Sequence, residues 1–387
     1  MPKQSIASFL TLPVELVYRI LDHLDDLTIL CSISTICQRF NNIVNSYDQF
    51  QALTNLHLTP NRLRYDEVKQ LADALRHNTT LTTLHLAGNQ IERDEAYHFG
   101  VALRYNTTLT TLHLAGNQIG DAGAQYFGNG LRHNTTLITL YLEDNEIGDV
   151  GAHHFGDALR HNITLTTLNL ASNHIGAVGA QHFRIALRHN TTLITLNLAD
   201  NRIGDVGAHH FGNASRHNIV LLALSSCLSC SYPFRYTTTL TTLQLTGNTI
   251  GNAGAQYLSD ALRYHSTLTT LYLARNQIGD VGARHFGDAL RHNTTLIELD
   301  LEFNGIGDLG AQYLSDALQY NTTLTILHLA RNQIGDVGRQ HFGITLQHNT
   351  TLTMLDLKFN EIGDVIDWGC EYMSELQLFG TIGAKNW

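Results

Sequence analysis

A phrase of 28 residues, Leu109 to Thr136 (LTTLHLAGNQIGDAGAQYFGNGLRHNTT), recurs with light editing from Leu53 almost to the C-terminus. Its opening leucines are Leu53, Leu81, Leu109, Leu137, Leu165, Leu193 and Leu221, then Leu240, Leu268, Leu296, Leu324 and Leu352. Every step is 28 residues except that from Leu221 to Leu240, which is nine short. A fixed period of this length is the signature of a solenoid, in which each unit contacts only its neighbours. A chain of 387 residues is too long for one compact core, but a stack lengthens its core without thickening it.

Each unit divides in two. The L-x-x-L-x-L part (Leu109, Leu112, Leu114) reads as a short strand with its leucines inward, and alternation leaves Thr111 and His113 facing out. Asn117 follows in the turn, where an amide that donates and accepts at once satisfies backbone that stacking buries. Ile119 closes the core. Asp121 is the expected N-cap, Ala124, Phe127 and Leu131 form one apolar helix face, Arg132 suits the helix's negative pole, and Asn134 is expected to end it in a left-handed conformation.

Strand, asparagine turn and helix in 28 residues resemble a leucine-rich repeat of the ribonuclease-inhibitor type. The resemblance covers residues 53 to about 365, and eleven of the twelve units carry the Leu/Leu/Leu/Asn set. It implies an α/β solenoid, a horseshoe with parallel strands about 4.8 Å apart on its concave side and helices on its convex side. Three places depart from the phrase. In the first two units Arg64, Glu67, Glu92 and Glu95 replace the glycines equivalent to Gly120 and Gly123. The seventh unit (VLLALSSCLSCSYPFRY) has Ser229 at the asparagine position and carries Pro233, so a kink or bulge is expected near 218–239. From about residue 364 a C-terminal cap is expected, with Trp368 and Leu376 covering the open core.

Residues 1–52 stand outside the repeat. Leu16, Ile20 and Leu24, then Ile29, Ile33 and Ile36, then Phe40 and Ile43 have helical spacing in two or three short segments. Pro13 and Glu15 mark a helix start. Leu12, Pro13, Glu15, Leu16, Ile20 and Leu24, followed by Ile36, Cys37 and Phe40, resemble an F-box. That resemblance implies docking onto the adaptor subunit of a cullin-RING ubiquitin ligase through a small all-α domain. The residues alone also fit a helical cap over the first repeat, which any solenoid needs.

Net charge is −10 with a pI near 6.1, which disfavours nucleic acid and anionic membrane as partners. No run approaches a spanning helix, and the N-terminus makes a poor signal peptide. Five cysteines form no disulfide framework, and the expectation is a cytoplasmic or nuclear protein, not a secreted one. Nine asparagines (Asn78, Asn106, Asn134, Asn162, Asn190, Asn213, Asn293, Asn321 and Asn349) stand in N-x-S/T, read here as turn residues rather than glycan sites.

His57, His85 and His113 share one strand position in consecutive units. Zinc is one reading of them, and a polar ladder without metal is the preferred one. Cys227 and Cys230 lack the second pair that a structural zinc site needs. The row Arg76, Arg104, Arg132, Arg160, Arg188, Arg216, Arg263 and Arg291 is accounted for by helix ends. No phosphate loop, cofactor fingerprint or nucleophile elbow appears, so no enzyme, metal or cofactor is expected.

Binding remains. Outward strand positions are monotonous in the first half (Thr83, Thr111, Thr139, Thr167, Thr195) and diversify after the short unit. Arg275, Glu298, Asp300, Phe303, Arg331, Asp356 and Phe359, with Glu302, Met354 and Lys358 among them, carry the charge and aromatic character of a protein-binding patch. The reading is a two-part adaptor: an F-box-like head of residues 1–52 and a repeat domain of residues 53–387 whose concave face captures a protein target for ubiquitination. The alternatives are a stand-alone binding or inhibitory module with a helical cap and, by fold analogy alone, a regulator of a small GTPase.

Overall fold

The computed structural model describes residues 54–58, 63–212, 239–263 and 267–363. They fall into two compact units, one within Met1–Glu146 and His161–Leu165, the other within Ile147–Arg160 and Thr166–Trp387.

The first unit alternates strand and helix: β1 (Asn55–His57), α1 (Tyr65–Leu75), β2 (Thr83–His85), α2 (Arg93–Tyr105), β3 (Thr111–His113), α3 (Gly120–Leu131) and β4 (Thr139–Tyr141). The strands are parallel and adjacent in chain order, with Leu56, Leu84, Leu112 and Leu140 in register. Three residues suffice for each because only the central leucine must point inward; its two neighbours stay half-exposed in β2, β3 and β4. Behind the strands Phe99 and Phe127 are fully buried, and each such side chain contributes about 2–3 kcal/mol.

The second unit continues the pattern with α4 (Asp149–Leu159), β5 (Thr167–Asn169), α5 (Ala177–Leu187), β6 (Thr195–Asn197) and helical residues 204–212. After these come β7 (Thr242–Gln244), α6 (Asn252–Leu262), β8 (Thr270–Tyr272), α7 (Asp280–Leu290), β9 (Glu298–Asp300), α8 (Asp308–Leu318), β10 (Ile326–His328), α9 (Asp336–Leu346) and β11 (Met354–Asp356). Strands β5 to β11 pair in parallel, each with the next.

The short seventh unit takes no place in this ladder. β6 pairs directly with β7, Thr195 opposite Thr242, so 47 positions separate partners that are otherwise 28 apart, as Thr242 and Thr270 are. Asn248 Nδ2 reaches back to the Leu198 carbonyl at 2.8 Å, the bond that Asn276 makes to Leu245. Among the described residues the ladder therefore runs straight from β6 to β7. A leucine in phase with the period looked like a strand start, but pairing is decided by which strand continues the ladder. Residues 213–238, with Cys227, Cys230 and the expected kink, lie outside the described residues, as does the cap expected from 364.

Two asparagine ladders bind repeat to repeat. Asn117 donates from Nδ2 to the carbonyls of Leu86 (3.0 Å) and Leu114 (2.8 Å), and its Oδ1 accepts from the N–H groups of Asn89 (2.9 Å) and Ile91 (3.0 Å). This is the turn satisfaction expected of it. The sequon asparagines do something the periodicity did not suggest. None of the described ones is left-handed, and Asn106 has φ −70° and ψ 135°. Helix α2 stops where Asn106 turns extended and bridges: Asn106 Nδ2 donates to Leu75 O at 2.7 Å, and its Oδ1 accepts from Leu109 N at 2.7 Å. Asn321 repeats this with Leu290 and Leu324.

The aspartate of I-G-D-x-G is also reassigned. Helix α3 begins at Gly120, so Asp121 lies inside the first turn, and in α4 the N-cap is Gly148. The aspartate caps the helix of the following repeat: Asp149 Oδ1 accepts from Gly176 N and Gly179 N, both at 2.7 Å. Asp280 does so for Gly307 and Gly310, and Asp308 for Gly335 and Gly338. This contact explains the second glycine. A Cβ at Gly179 would come within 2.6 Å of Ile175 Cγ2 and 2.7 Å of the capping Asp149 oxygen. Where that glycine is missing, the helix caps itself, Glu67 accepting from Arg64 N at 2.9 Å.

Candidate functional site

The outward side chains of each unit form rows because parallel strands in register place equivalent residues side by side. In the first unit the third strand residue gives a row of four rings. His57 stacks on His85 (centroids 3.9 Å), His85 on His113 (4.0 Å) and His113 on Tyr141 (4.1 Å), with planes within 15° of parallel. Stacked rings hold their nitrogen lone pairs in parallel planes, so the three imidazoles do not converge on one ion. Burial, then the neighbouring imidazoles His85 and His57, push His113 down to about 4. Burial and His57 also lower His85.

This stack makes the first unit acid-sensitive. A folded-state pKa below the ordinary 6.5 means that the unfolded chain takes up protons first, so stability present above pH 6.5 declines as pH falls towards 4. Between pH 7 and pH 5 the His113 contribution is expected to fall by roughly 1 kcal/mol, after allowing for solvent screening of a partly exposed group. Urea denaturation at both pH values checks this, and His113→Thr should flatten the dependence.

In the second unit the same row reads Tyr272, Asp300, His328, Asp356, each paired in register with the next. Glu298, on β9 beside Asp300, bonds the Tyr272 hydroxyl, and His328 Nε2 lies 3.5 Å from Glu298 Oε1. Burial first, then the charge of Glu298, its hydrogen bond and the charge of Asp300, push the Tyr272 hydroxyl up to about 12. Burial raises the Asp300 carboxyl, opposed by the Glu302 N–H that it accepts at 2.9 Å and by His328. Asp356 likewise accepts Lys358 N–H at 3.0 Å.

The remaining predicted target-binding residues are not on strands. Arg275, Phe303, Arg331 and Phe359 each precede the core asparagine in the following turn, at φ between 54° and 57°. This is left-handed backbone, disfavoured for any side chain bulkier than glycine or asparagine. Gly88, Gly116 and Gly247 hold the same place in other repeats. Phe303 and Phe359 are 56% and 75% exposed. Arg331 bridges the row, with Nε 3.4 Å from Glu302 Oε1 and its guanidinium 5.1 Å over the Phe359 ring.

The second unit therefore brings all seven predicted residues (Arg275, Glu298, Asp300, Phe303, Arg331, Asp356 and Phe359) to four consecutive repeats, and adds Tyr272 and His328. Neither was singled out by its type, because His and Tyr also occupy that position in the first unit. Their register with Asp300 was the available signal. The six predicted adaptor-binding residues, Leu12, Pro13, Glu15, Leu16, Ile20 and Leu24, lie outside the described residues.

A leucine-rich-repeat model matches ten segments, residues 77–93, 105–128, 133–153, 161–183, 189–209, 236–259, 264–287, 292–315, 320–343 and 348–366. The chain belongs to the leucine-rich-repeat family. An F-box domain model matches residues 9–51 of this leucine-rich-repeat protein, and the two modules together make it an F-box protein with leucine-rich repeats. Its matched segments skip 210–235, where the strand ladder passes from β6 to β7. Among solved structures it is similar to an internalin from Listeria monocytogenes str. 4b F2365, with 20% identity over 92% of this chain and 95% of that one and a TM-score of 0.45. It is also similar to the second actin-binding site of leiomodin-1, with 26% identity over 30% of this chain and 65% of that one and a TM-score of 0.26. No curated protein matches it. Both modules are of interaction families that are not catalytic. Among the described residues no helix is long and apolar enough to cross a membrane.

Proposed function

We propose that this protein is the substrate-recognition subunit of a cullin-RING ubiquitin ligase. Residues 9–51 dock onto the ligase adaptor, the strand face of β8 to β11 and the turns behind it hold the target, and the partner ligase carries out ubiquitin transfer. The protein itself is not an enzyme in this reading. The observation that carries it is the pairing in one chain of an F-box match with a repeat array whose chemically varied side chains gather on four neighbouring repeats. A scaffold fully explained by stacking leaves only those departures to discriminate between targets.

The reading places the protein inside the cell. Its described sequon asparagines are committed to the backbone, as Asn134 is through Nδ2 to Leu103 O at 2.7 Å with 3% of its surface exposed. A glycan on that nitrogen is incompatible with the bond and with the packing around it.

Co-purification with the ligase adaptor tests the head. Full-length protein is expected to retain the adaptor, and Leu12→Asp combined with Pro13→Ala to lower capture at least roughly tenfold, the scale of losing central interface contacts. No capture by the unaltered chain sinks the ligase assignment and leaves the stand-alone binding module.

A further inference from the structure

Outside the strand face, histidines crowd the helix side of the second unit: His153 and His154 on α4, His182 on α5, and His209 and His210 within helical residues 204–212. They come from the two positions before the buried phenylalanine, A-x-x-F, and the first of these positions on one helix faces the second on the next. In the first unit such contacts are phenolic. Tyr97 packs edge-on against Tyr126, and from the start of α1 the Tyr65 hydroxyl also reaches His98 Nε2, 3.1 Å away. His209 packs against Tyr257, with ring centroids 4.3 Å apart. Between α4 and α5 both partners are imidazoles, and His153 Nδ1 lies 3.2 Å from His182 Nδ1, with the rings at 60°.

We propose that His153 and His182 form a two-histidine clamp for a borderline divalent cation of the zinc type. Nitrogens bound at about 2.0–2.1 Å and separated by the tetrahedral angle lie about 3.3–3.4 Å apart, nearly the spacing seen here. Imidazole is the ligand class that suits such ions. The nitrogens project from two packed helices, so the spacing is held by the scaffold, and His153 is exposed. In the metal-free chain one ring donates Nδ1–H to the other. Binding requires that ring to carry its proton on Nε2 instead, which leaves two lone pairs for the ion. Water completes the shell, since among the described residues no group of three or more His, Cys, Asp or Glu is placed to hold a metal. The local field helps: Asp149, whose Oδ1 is committed to Gly176 and Gly179, acts on His182. At His210 the neighbouring charge is the Arg184 guanidinium, which repels a cation.

The test uses the full-length chain, stripped with a chelator and titrated with Zn2+ alone by calorimetry and with Co2+ by visible absorption. One site per chain is expected to stand above weaker binding elsewhere. His153→Ala and His182→Ala should each weaken it at least roughly tenfold, the scale seen when even outer partners of a metal site are lost. His209→Ala should leave it unchanged. Circular dichroism of each variant separates loss of a ligand from loss of fold, and His153→Gln, at the exposed position, provides a second variant. Zn2+ uptake identical in the wild type and in the His153 and His182 variants overturns the proposal, as does the absence of any site in the wild type.

Discussion

Asn117→Ala is expected to lower the stability of the array by roughly 3–5 kcal/mol, measured by urea denaturation. The truncation deletes an amide whose four shortest bonds run to Leu86 O, Leu114 O, Asn89 N and Ile91 N. It leaves those groups to find water in a site where the asparagine itself was 4% exposed. Each buried backbone group left unsatisfied costs about 1–3 kcal/mol, and the cavity left behind admits part of the lost hydration. Because a solenoid is held by nearest-neighbour terms, the loss should first appear as faster hydrogen exchange in the repeats around β2 and β3. A change below about 1 kcal/mol would mean that the ladder is incidental to the stack. Thr111→Ala, on a half-exposed position of β3, is the matched control.

The contrast between these two positions shows what a periodic sequence discloses. Leucines at Leu109, Leu112 and Leu114 admit one environment, so strand, face and period could be read from them directly. Asn134 admits two, because asparagine tolerates left-handed backbone and also carries an amide that can bridge. Local chemistry alone cannot say which is used, and the choice is made by the Leu103 carbonyl one repeat earlier. The aspartate expected as an N-cap at Asp121 is ambiguous for the same reason, as its equivalent Asp149 shows. A side chain at a helix start is ordinarily credited to its own helix, whereas here the next repeat stacks close enough to take it. The direct pairing of β6 with β7 was hidden in another way: Leu221 is in phase with the period, but only that pairing shows which leucine continues the sheet.

The candidate site was legible as composition and not as conformation. Glu298 stood out because it breaks a column of threonines, and Asp300 and Asp356 because they bring carboxylates to a column of histidine, tyrosine, asparagine and glutamine. That Arg275, Phe303, Arg331 and Phe359 share one turn position was visible in their spacing. That the position is left-handed was encoded only indirectly, by glycines at Gly88, Gly116 and Gly247.

That conformation makes Phe303→Gly the sharpest test of the target face. An aromatic residue held at φ 54° carries strain of about 1–2 kcal/mol, which glycine avoids at the expense of a more flexible unfolded chain. The variant is therefore expected to be more stable than the wild type by about 1 kcal/mol, with the Phe303 N–H to Ala330 carbonyl bond of 2.9 Å retained. Target affinity is expected to move the other way, by roughly 30-fold or more, since an exposed aromatic anchor accounts for about 2 kcal/mol or more in a protein interface. Asp300→Ala should also weaken the target, whereas Thr111→Ala should not. A bulky aromatic side chain at a position that other repeats give to glycine, aspartate or serine costs stability without adding to the stack, and a bound partner is the candidate role for it on this face. Equal affinities for the wild type, Phe303→Gly and Thr111→Ala, measured with a target recovered on the intact chain, would remove these four turns from the binding surface and leave their strain without a role.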